Sequence, residues 1–293
     1  MILIDSHITD TTTLGKGIYL FSVFDGHGGN EIADYLRDHF CSALKANPNF
    51  KKKNYELALV QTFKEIDISL ITSEINEKLK EISHAPKGSW EDSKCANVAQ
   101  AIGWTACMAL ITPTEIFVAN LGDSRWVISK GGKPYEMSVD HKPNLSSEKK
   151  RIKAAGGFVE DNRVKGMLNL SRSFGDHLYK SDPSLSYKKQ MVICVPEIWV
   201  QERNKDVDFL FIAWDGIWEW LGSDEVVTFI QDKMKKYSKS KKKSTDSKMS
   251  QIVESLFEKI IARDVITSSK SNINHLLDGK GCDNMTGILV TIN

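Results

Sequence analysis

The sequence has no excess of charge of either sign: 39 Lys and Arg stand against 38 Asp and Glu, a formal net charge of +1. Such a chain exerts no global pull on nucleic acid or on an anionic membrane surface, which argues against a bulk polyanion binder. Long apolar runs are missing too. The stretch at 18–24 and others like it end far short of the roughly 20 residues that span a bilayer, so no transmembrane protein is expected. The amino-terminal residues show no basic segment followed by an apolar core and a small-residue cleavage site, and a secretory route is not indicated. Cysteine is scarce: Cys41, Cys95, Cys107, Cys194 and Cys282 are odd in number and scattered, with no CxxC pair for zinc or a redox dithiol. A reducing cytoplasm or nucleus is the expected compartment. There is no internal repeat, and no sustained heptad seam, so a monomer is expected.

What is present suits a buried core. Apolar residues make up 41% of the chain and charged residues 26%, which excludes global disorder and fits one large domain or two small ones. The apolar run 18–24 ends in Asp25-Gly26-His27-Gly28-Gly29, and Ile32, Leu36, Phe40 and Leu44 follow at helical spacing; this reads as strand, tight turn, helix. A second periodic stretch carries Leu59, Phe63, Ile66 and Leu70 and continues to about Leu79, before a Pro/Gly/Ser-bearing loop at 84–93. Short β-rich runs at 104–111, 115–120, 126–129 and 135–139 then follow one another too closely for helical crossovers, which predicts an antiparallel meander. A helix is expected over 146–155, capped by Ser146 or Ser147 and stopped by Gly156-Gly157. Strands are expected at 158–160, 192–194, 198–201, 209–213 and 285–292, and helices at 224–236 and 251–262. The Lys- and Ser-rich stretch 235–248 reads as a solvated surface loop, with a docking or nuclear-targeting patch as the sharper alternative.

Four segments share one form: an apolar strand delivers an aspartate at its end, beside a Gly or Asn that permits a tight turn. They are Asp25-Gly26, Asp123 after Gly122, Asp215-Gly216 and Asp283-Asn284. Singly, each is an ordinary turn signal. If these strand ends converge on one sheet edge, however, carboxylates within ~4–6 Å repel by a few kcal/mol per pair and require cations. Oxygen ligands without a His/Cys set select Mg²⁺ or Mn²⁺ over zinc, and two such ions can activate water and clamp a phosphoryl group.

With these residues in view, the sequence resembles the metal-dependent serine/threonine protein phosphatases of the 2C type over nearly its whole length. The resemblance rests on Val23-Phe24-Asp25-Gly26-His27-Gly28-Gly29, Gly103-Trp104-Thr105-Ala106, Ala119-Asn120-Leu121-Gly122-Asp123-Ser124-Arg125, Asp140-His141-Lys142-Pro143, Leu170-Ser171-Arg172-Ser173-Phe174-Gly175-Asp176, Ala213-Trp214-Asp215-Gly216-Ile217-Trp218 and Gly281-Cys282-Asp283-Asn284-Met285-Thr286, in order. It implies an α+β fold: a four-layer sandwich of two central antiparallel sheets flanked by helices on both outer faces. A single catalytic domain would span 1–293, with a variable flap at about 144–190.

The resemblance also implies roles. Asp25 bridges two Mg²⁺ or Mn²⁺ ions, the Gly26 carbonyl touches the second, and Asp215 and Asp283 hold the first. Water between the ions is the nucleophile, and His27 is the general acid for the departing serine or threonine oxygen. Asp123 matches a weaker third metal position shared with Asp215; Glu219 stands where many relatives carry an Asp. Asp140, His141, Arg172 and Asp176 are expected to be structural, through buried hydrogen bonds. The substrates implied are phosphorylated proteins.

The family also carries, ahead of its first strand pair, an Arg that grips phosphate and an acidic pair near the second metal. If Asp5-Ser6-His7 aligns with that acidic motif, Asp5 takes one acid's place, Ile4 stands where a Glu would be, and no Arg precedes them; alternatively, the motif lies upstream of this sequence. That departure supports an alternative: a catalytically impaired phosphatase-like module that binds phosphoproteins or partners. Retention of Asp25, His27, Asp215 and Asp283 opposes it. A metal-dependent nuclease suits the carboxylates but not the neutral charge.

Overall fold

A computed structural model of the chain describes residues 6–83, 97–238, 245–270 and 286–292. Ile4, Asp5, Asp283 and the loop expected at 84–93 lie outside the described residues. The chain runs through β1 (Ser6–Asp10), β2 (Tyr19–Phe24) and β3 (Gly26–His27) into α1 (Glu31–Ala46), α2 (Pro48–Lys51), α3 (Tyr55–Ser69) and α4 (Ser73–Ile82). After α5 (Val98–Ala101) come β4 (Gly103–Trp104), β5 (Ala106–Ile111), β6 (Glu115–Leu121), β7 (Arg125–Lys130) and β8 (Lys133–Glu136). Next are α6 (Ser146–Ala154), β9 (Val159–Glu160), β10 (Arg163–Val164), β11 (Phe174–Gly175), a 3-10 turn at His177–Tyr179 and β12 (Glu197–Glu202). Then follow β13 (Val207–Ala213), α7 (Asp215–Trp218), α8 (Ser223–Ser238), α9 (Thr245–Lys270) and β14 (Gly287–Thr291). The mixture of helices with antiparallel sheets is the expected α+β class.

The chain divides into two compact units, the first Met1–Ser124 with Val139–Glu202 and the second Arg125–Ser138 with Arg203–Asn293. The first holds a five-stranded sheet in the order β1-β2-β5-β6-β12, antiparallel throughout. Ile32, Leu36, Phe40 and Leu44, spaced to share one stripe of α1, are fully buried and pack with Leu20 and Phe24 of β2 and with Leu59 and Phe63 of α3. Phe63 meets Phe40 edge-on at 5.4 Å between ring centres and stacks on Phe174 at 5.0 Å. Burying each such ring contributes roughly 1.5–3 kcal/mol, and the second contact fixes β11.

A separate small sheet, β11-β4-β3, places Gly26 opposite Trp104 and His27 opposite Gly103. Gly103 in turn faces Gly175 on the other side. Ile152, Val164, Leu168 and Leu170 of the expected flap form a buried cluster with Val192, just beyond it. In the second unit the sheet runs β14-β13-β7-β8, and Val226, Ile230, Ile252 and Leu256 of α8 and α9 pack with Phe209, Phe211 and Val127 from it.

Several local expectations change. The periodic stretch expected to continue from Leu59 to Leu79 is two helices, because Thr72 accepts a hydrogen bond from Ile75 N and caps α4 afresh. Ser146 is the first residue of α6 rather than its cap; Leu145 holds the cap position and makes no side-chain bond. Residues 192–194 form no strand, only an isolated bridge between Arg172 and Ile193. The Lys/Ser-rich stretch 235–248 is partly helical: α8 runs to Ser238 and α9 starts at Thr245, with 239–244 outside the described residues. Lys235 and Lys236 occupy the last turn of α8, where cations oppose the negative end of the helix dipole.

Candidate active site

The turn after β2 is built around backbone contacts that only glycine permits. A Cβ on Gly26 would fall on the ring of Trp104, and Gly28 sits at φ 89°, in the region that favours glycine. Thr105 N donates to Asp25 O at 2.6 Å, Thr105 Oγ1 accepts from Asp25 N at 3.3 Å, and Trp104 Nε1 donates to Gly29 O at 2.8 Å. The loop from Asp25 to Gly29 is thus pinned at both ends by β4 and the residue after it.

Asp123 arrives from β6 through Gly122, at φ 126°. His141 braces this second turn: its backbone N donates to Gly122 O at 2.9 Å, and its Nδ1 accepts from Gly122 N at 3.1 Å. Burial lowers the His141 pKa and outweighs the opposing effect of the Glu197 carboxylate, which favours the neutral ring that accepts that bond. Asn120 Nδ2 adds bonds to Gly122 O at 3.2 Å and Val139 O at 2.9 Å.

Carboxylate oxygens of Asp25 and Asp123 come within 4.8 Å of each other. Asp123 is only 2% exposed. Its Oδ2 pairs with the Lys142 ammonium, while its Oδ1, also buried, has no hydrogen-bond partner among the described residues. A buried acceptor without a donor costs about 1–3 kcal/mol, and a hard cation satisfies both it and the charge of the neighbouring carboxylate. The donors are oxygens alone, so the arrangement fits a divalent ion of the Mg²⁺ or Mn²⁺ kind.

His27 lies in the same unit. Its Nε2 donates to Asp176 Oδ1 at 2.8 Å, and Asp176 Oδ2 accepts from Ser173 Oγ at 2.6 Å. Asp176 follows β11 in the left-handed conformation, φ 51°, and its backbone N donates to Ile102 O at 2.8 Å. Burial disfavours the imidazolium, but the hydrogen bond and charge of Asp176, with the charge of Asp123, outweigh it and raise the His27 pKa. Asp176 therefore does more than fill a buried position: it orients the imidazole, a role that nothing local in the sequence announces.

Of the remaining expected residues, Arg172 pairs with the buried carboxylate of Glu148, its Nη2 2.7 Å from Oε1, as a structural role requires. In the second unit, Asp215 opens α7 one residue beyond the end of β13, after Trp214, and its carbonyl starts the helical ladder by accepting from Glu219 N at 2.8 Å. Trp218 Nε1 closes that turn by donating to Ala213 O at 2.7 Å. Lys142 and Glu148 were not singled out in the sequence. Lys142 sits two residues after Asp140, inside a quoted motif, and that position was its only signal.

Residues 4–269 match the family model described as Protein phosphatase 2C. The chain belongs to the protein phosphatase 2C family. Protein phosphatase 2C 1 of Paramecium tetraurelia is 37% identical over 286 residues, covering 98% of this chain and 86% of its own length. Protein phosphatase 2C homolog 2 of Schizosaccharomyces pombe is 35% identical over 285 residues, covering 97% of this chain and 66% of its own. Among solved structures, a phosphatase from Toxoplasma gondii superposes with a TM-score of 0.69 at 20% identity, covering 99% of this chain and 88% of that one. At that identity the likeness shows the shared fold. Protein phosphatase 2C enzymes depend on metal and act on serine and threonine phosphates, and membership makes this chain a phosphoprotein phosphatase. No helix among the described residues is long and apolar enough to cross a membrane.

Proposed function

We propose that the protein hydrolyses phosphoserine and phosphothreonine in protein substrates by direct attack of water, without a phosphoenzyme, using two Mg²⁺ or Mn²⁺ ions and a weaker third. Asp25, the Gly26 carbonyl, Asp215 and Asp283 hold the two ions, and Asp123 serves the third. When bound, such ions supply positive charge that acidifies water and neutralises phosphoryl oxygens. The approach of Asp25 to Asp123, whose buried Oδ1 has no donor among the described residues, is the observation that carries this reading.

The protein's own residues do the rest. Trp104 and Thr105 keep the Asp25 turn from shifting when substrate binds. Lys142 neutralises Asp123 and so limits repulsion between the carboxylates. His27, held through Nε2 by Asp176, leaves Nδ1 to hand a proton to the departing serine or threonine oxygen. No cysteine in the sequence lies in the CxxxxxR arrangement of a cysteine-dependent phosphatase.

We also read residues 1–293 as one catalytic domain, with 144–190 as a flap that influences substrate choice, and the protein as a monomer of the cytoplasm or nucleus. Scattered cysteines, of which Cys41, Cys107 and Cys194 are free thiols, support the compartment. The test is hydrolysis of a phosphothreonine peptide with Mn²⁺, with Mg²⁺ and with EDTA. Turnover with either ion that EDTA abolishes is the expected result. A folded protein that binds Mn²⁺ and the peptide without turnover would instead identify a binding module.

A further inference from the structure

Away from the catalytic turns, the first unit carries a cavity of about 400 Å³ between α3 and the segment that follows β11. Its volume lies within the roughly 300–1,000 Å³ of sites that enclose ligand groups. One wall is a stripe along and just beyond α3, where Lys64, Ile68 and Ile71 follow at helical spacing; Leu185 and Tyr187 face it. Ile68 is 47% exposed and Ile71 48%, so two aliphatic side chains stand together in solvent at the cavity mouth.

The charges of the floor cancel. Both oxygens of the buried Asp67 lie 2.9 Å from Lys180 Nζ, and Oδ1 also accepts from Gly175 N at 2.9 Å. Burial alone would raise this carboxyl, but the Lys180 ammonium and His177 hold it below the ordinary aspartate value. Asp182, the other acid of the lining, is turned to its own loop and accepts from Ser184 N and Oγ at 2.9 and 2.6 Å.

The rim is different. Lys64 Nζ stands 4.5 Å and Lys188 Nζ 5.6 Å from the centre of the Tyr187 ring, so both ammonium groups lie close to this one ring of the lining. Neither pairs with a carboxylate among the described residues. Beside an apolar cleft, the ammonium groups of Lys64 and Lys188 outnumber the one lining carboxylate, Asp182, that no cation pairs among the described residues, and that balance selects a ligand that brings an apolar anchor and a negative neighbour.

We propose that this cleft docks a short segment of a partner protein in which a large aliphatic or aromatic residue stands next to Asp or Glu. The anchor enters between Ile68, Ile71 and Leu185, and the carboxylate meets Lys64 and Lys188. A basic segment would meet like charge at the lip and is excluded.

Panning the intact protein with a phage-displayed random peptide library tests this. Selected peptides should share an apolar anchor flanked by acid, and should weaken as salt rises. They should bind at least roughly tenfold less tightly to Ile71→Asp and to the double variant Lys64→Glu/Lys188→Glu. These positions are at the surface, so both variants should melt with the wild type; if Ile71→Asp does not fold, the charge-reversed variant decides alone. Failure to enrich any peptide, selection of basic peptides, or equal binding to the wild type and the charge-reversed variant would overturn the proposal. So would concentration-dependent self-association that these substitutions abolish, which would give the cleft to a second copy of the chain.

Discussion

His27 Nε2 lies 2.8 Å from Asp176 Oδ1, across 149 positions of sequence. The carboxylate fixes which ring nitrogen faces the protein and stabilises the charged form, raising the His27 pKa against the opposing effect of burial. A raised pKa keeps the proton in place to higher pH, so activity that needs the acid form is lost only as pH climbs through that value. Asp176→Asn removes the stabilising charge. Its pH profile of kcat/KM should therefore lose activity at lower pH on the alkaline side, while His27→Gln should lower kcat by roughly 10²–10⁴-fold. An alkaline limb that stays in place in Asp176→Asn would separate Asp176 from the proton transfer.

Glu148 predicts how the protein responds to acid. Burial pushes its carboxyl up, but hydrogen bonding and charge from Arg172 and the charge of Arg151 pull it down to about 2. A depressed folded pKa means stability that is present above the unfolded value, 4.5, and is lost as pH falls through the folded one. Integrated over that window, the contribution is about 3 kcal/mol. Melting curves of the wild type should fall progressively below pH 4.5. Glu148→Gln should be less stable near neutral pH by roughly 3–5 kcal/mol and should show a shallower acid dependence.

Gly26→Ala probes the turn rather than the chemistry. A methyl group there meets the face of Trp104, and overpacking of this kind costs about 1–3 kcal/mol. The displaced backbone carries the Gly26 carbonyl and Asp25 with it. Calorimetry should show weakened Mn²⁺ binding together with a lower melting temperature; an unchanged affinity would mean that the turn tolerates the shift.

Lys142→Gln leaves Asp123 without its ammonium partner while the Asp25 carboxylate remains within 4.8 Å. The metal-free protein should lose about 1–3 kcal/mol. Mn²⁺ should then raise the melting temperature more than it does in the wild type, because the ion relieves a larger repulsion. Equal metal-induced shifts in the two proteins would contradict this.

Much of the fold was legible where local pattern and tertiary packing agree. Ile32, Leu36, Phe40 and Leu44 share one helical face and all four are buried in α1. The runs around Ala109, Val118 and Ile128 alternate with turns too short for crossovers, and they form β5, β6 and β7. Agreement fails at Leu70 and Thr72: apolar residues recur as far as Leu79, but Thr72 accepts from Ile75 N and caps a second helix there. The short helices α2 and α5 escaped notice although Asn47 before Pro48, and the reciprocal bonds of Asn97 and Gln100, are recognisable start signals.

The candidate site divides similarly. Asp25, Asp123 and Asp215 at strand ends were legible because a turn residue beside an apolar run is a local feature. The bond between His27 and Asp176 was not, since it joins β3 to the end of β11 through β4 and depends on three strands finding their register.

The most direct test of the account compares wild type with Asp25→Asn and Asp215→Asn on a phosphothreonine peptide, with Mn²⁺ binding measured on the same samples. The account predicts that wild type turns over only with Mn²⁺ or Mg²⁺, and that both variants fold yet lose metal affinity and hydrolysis together. Full turnover by either variant, or by wild type in EDTA, would contradict it.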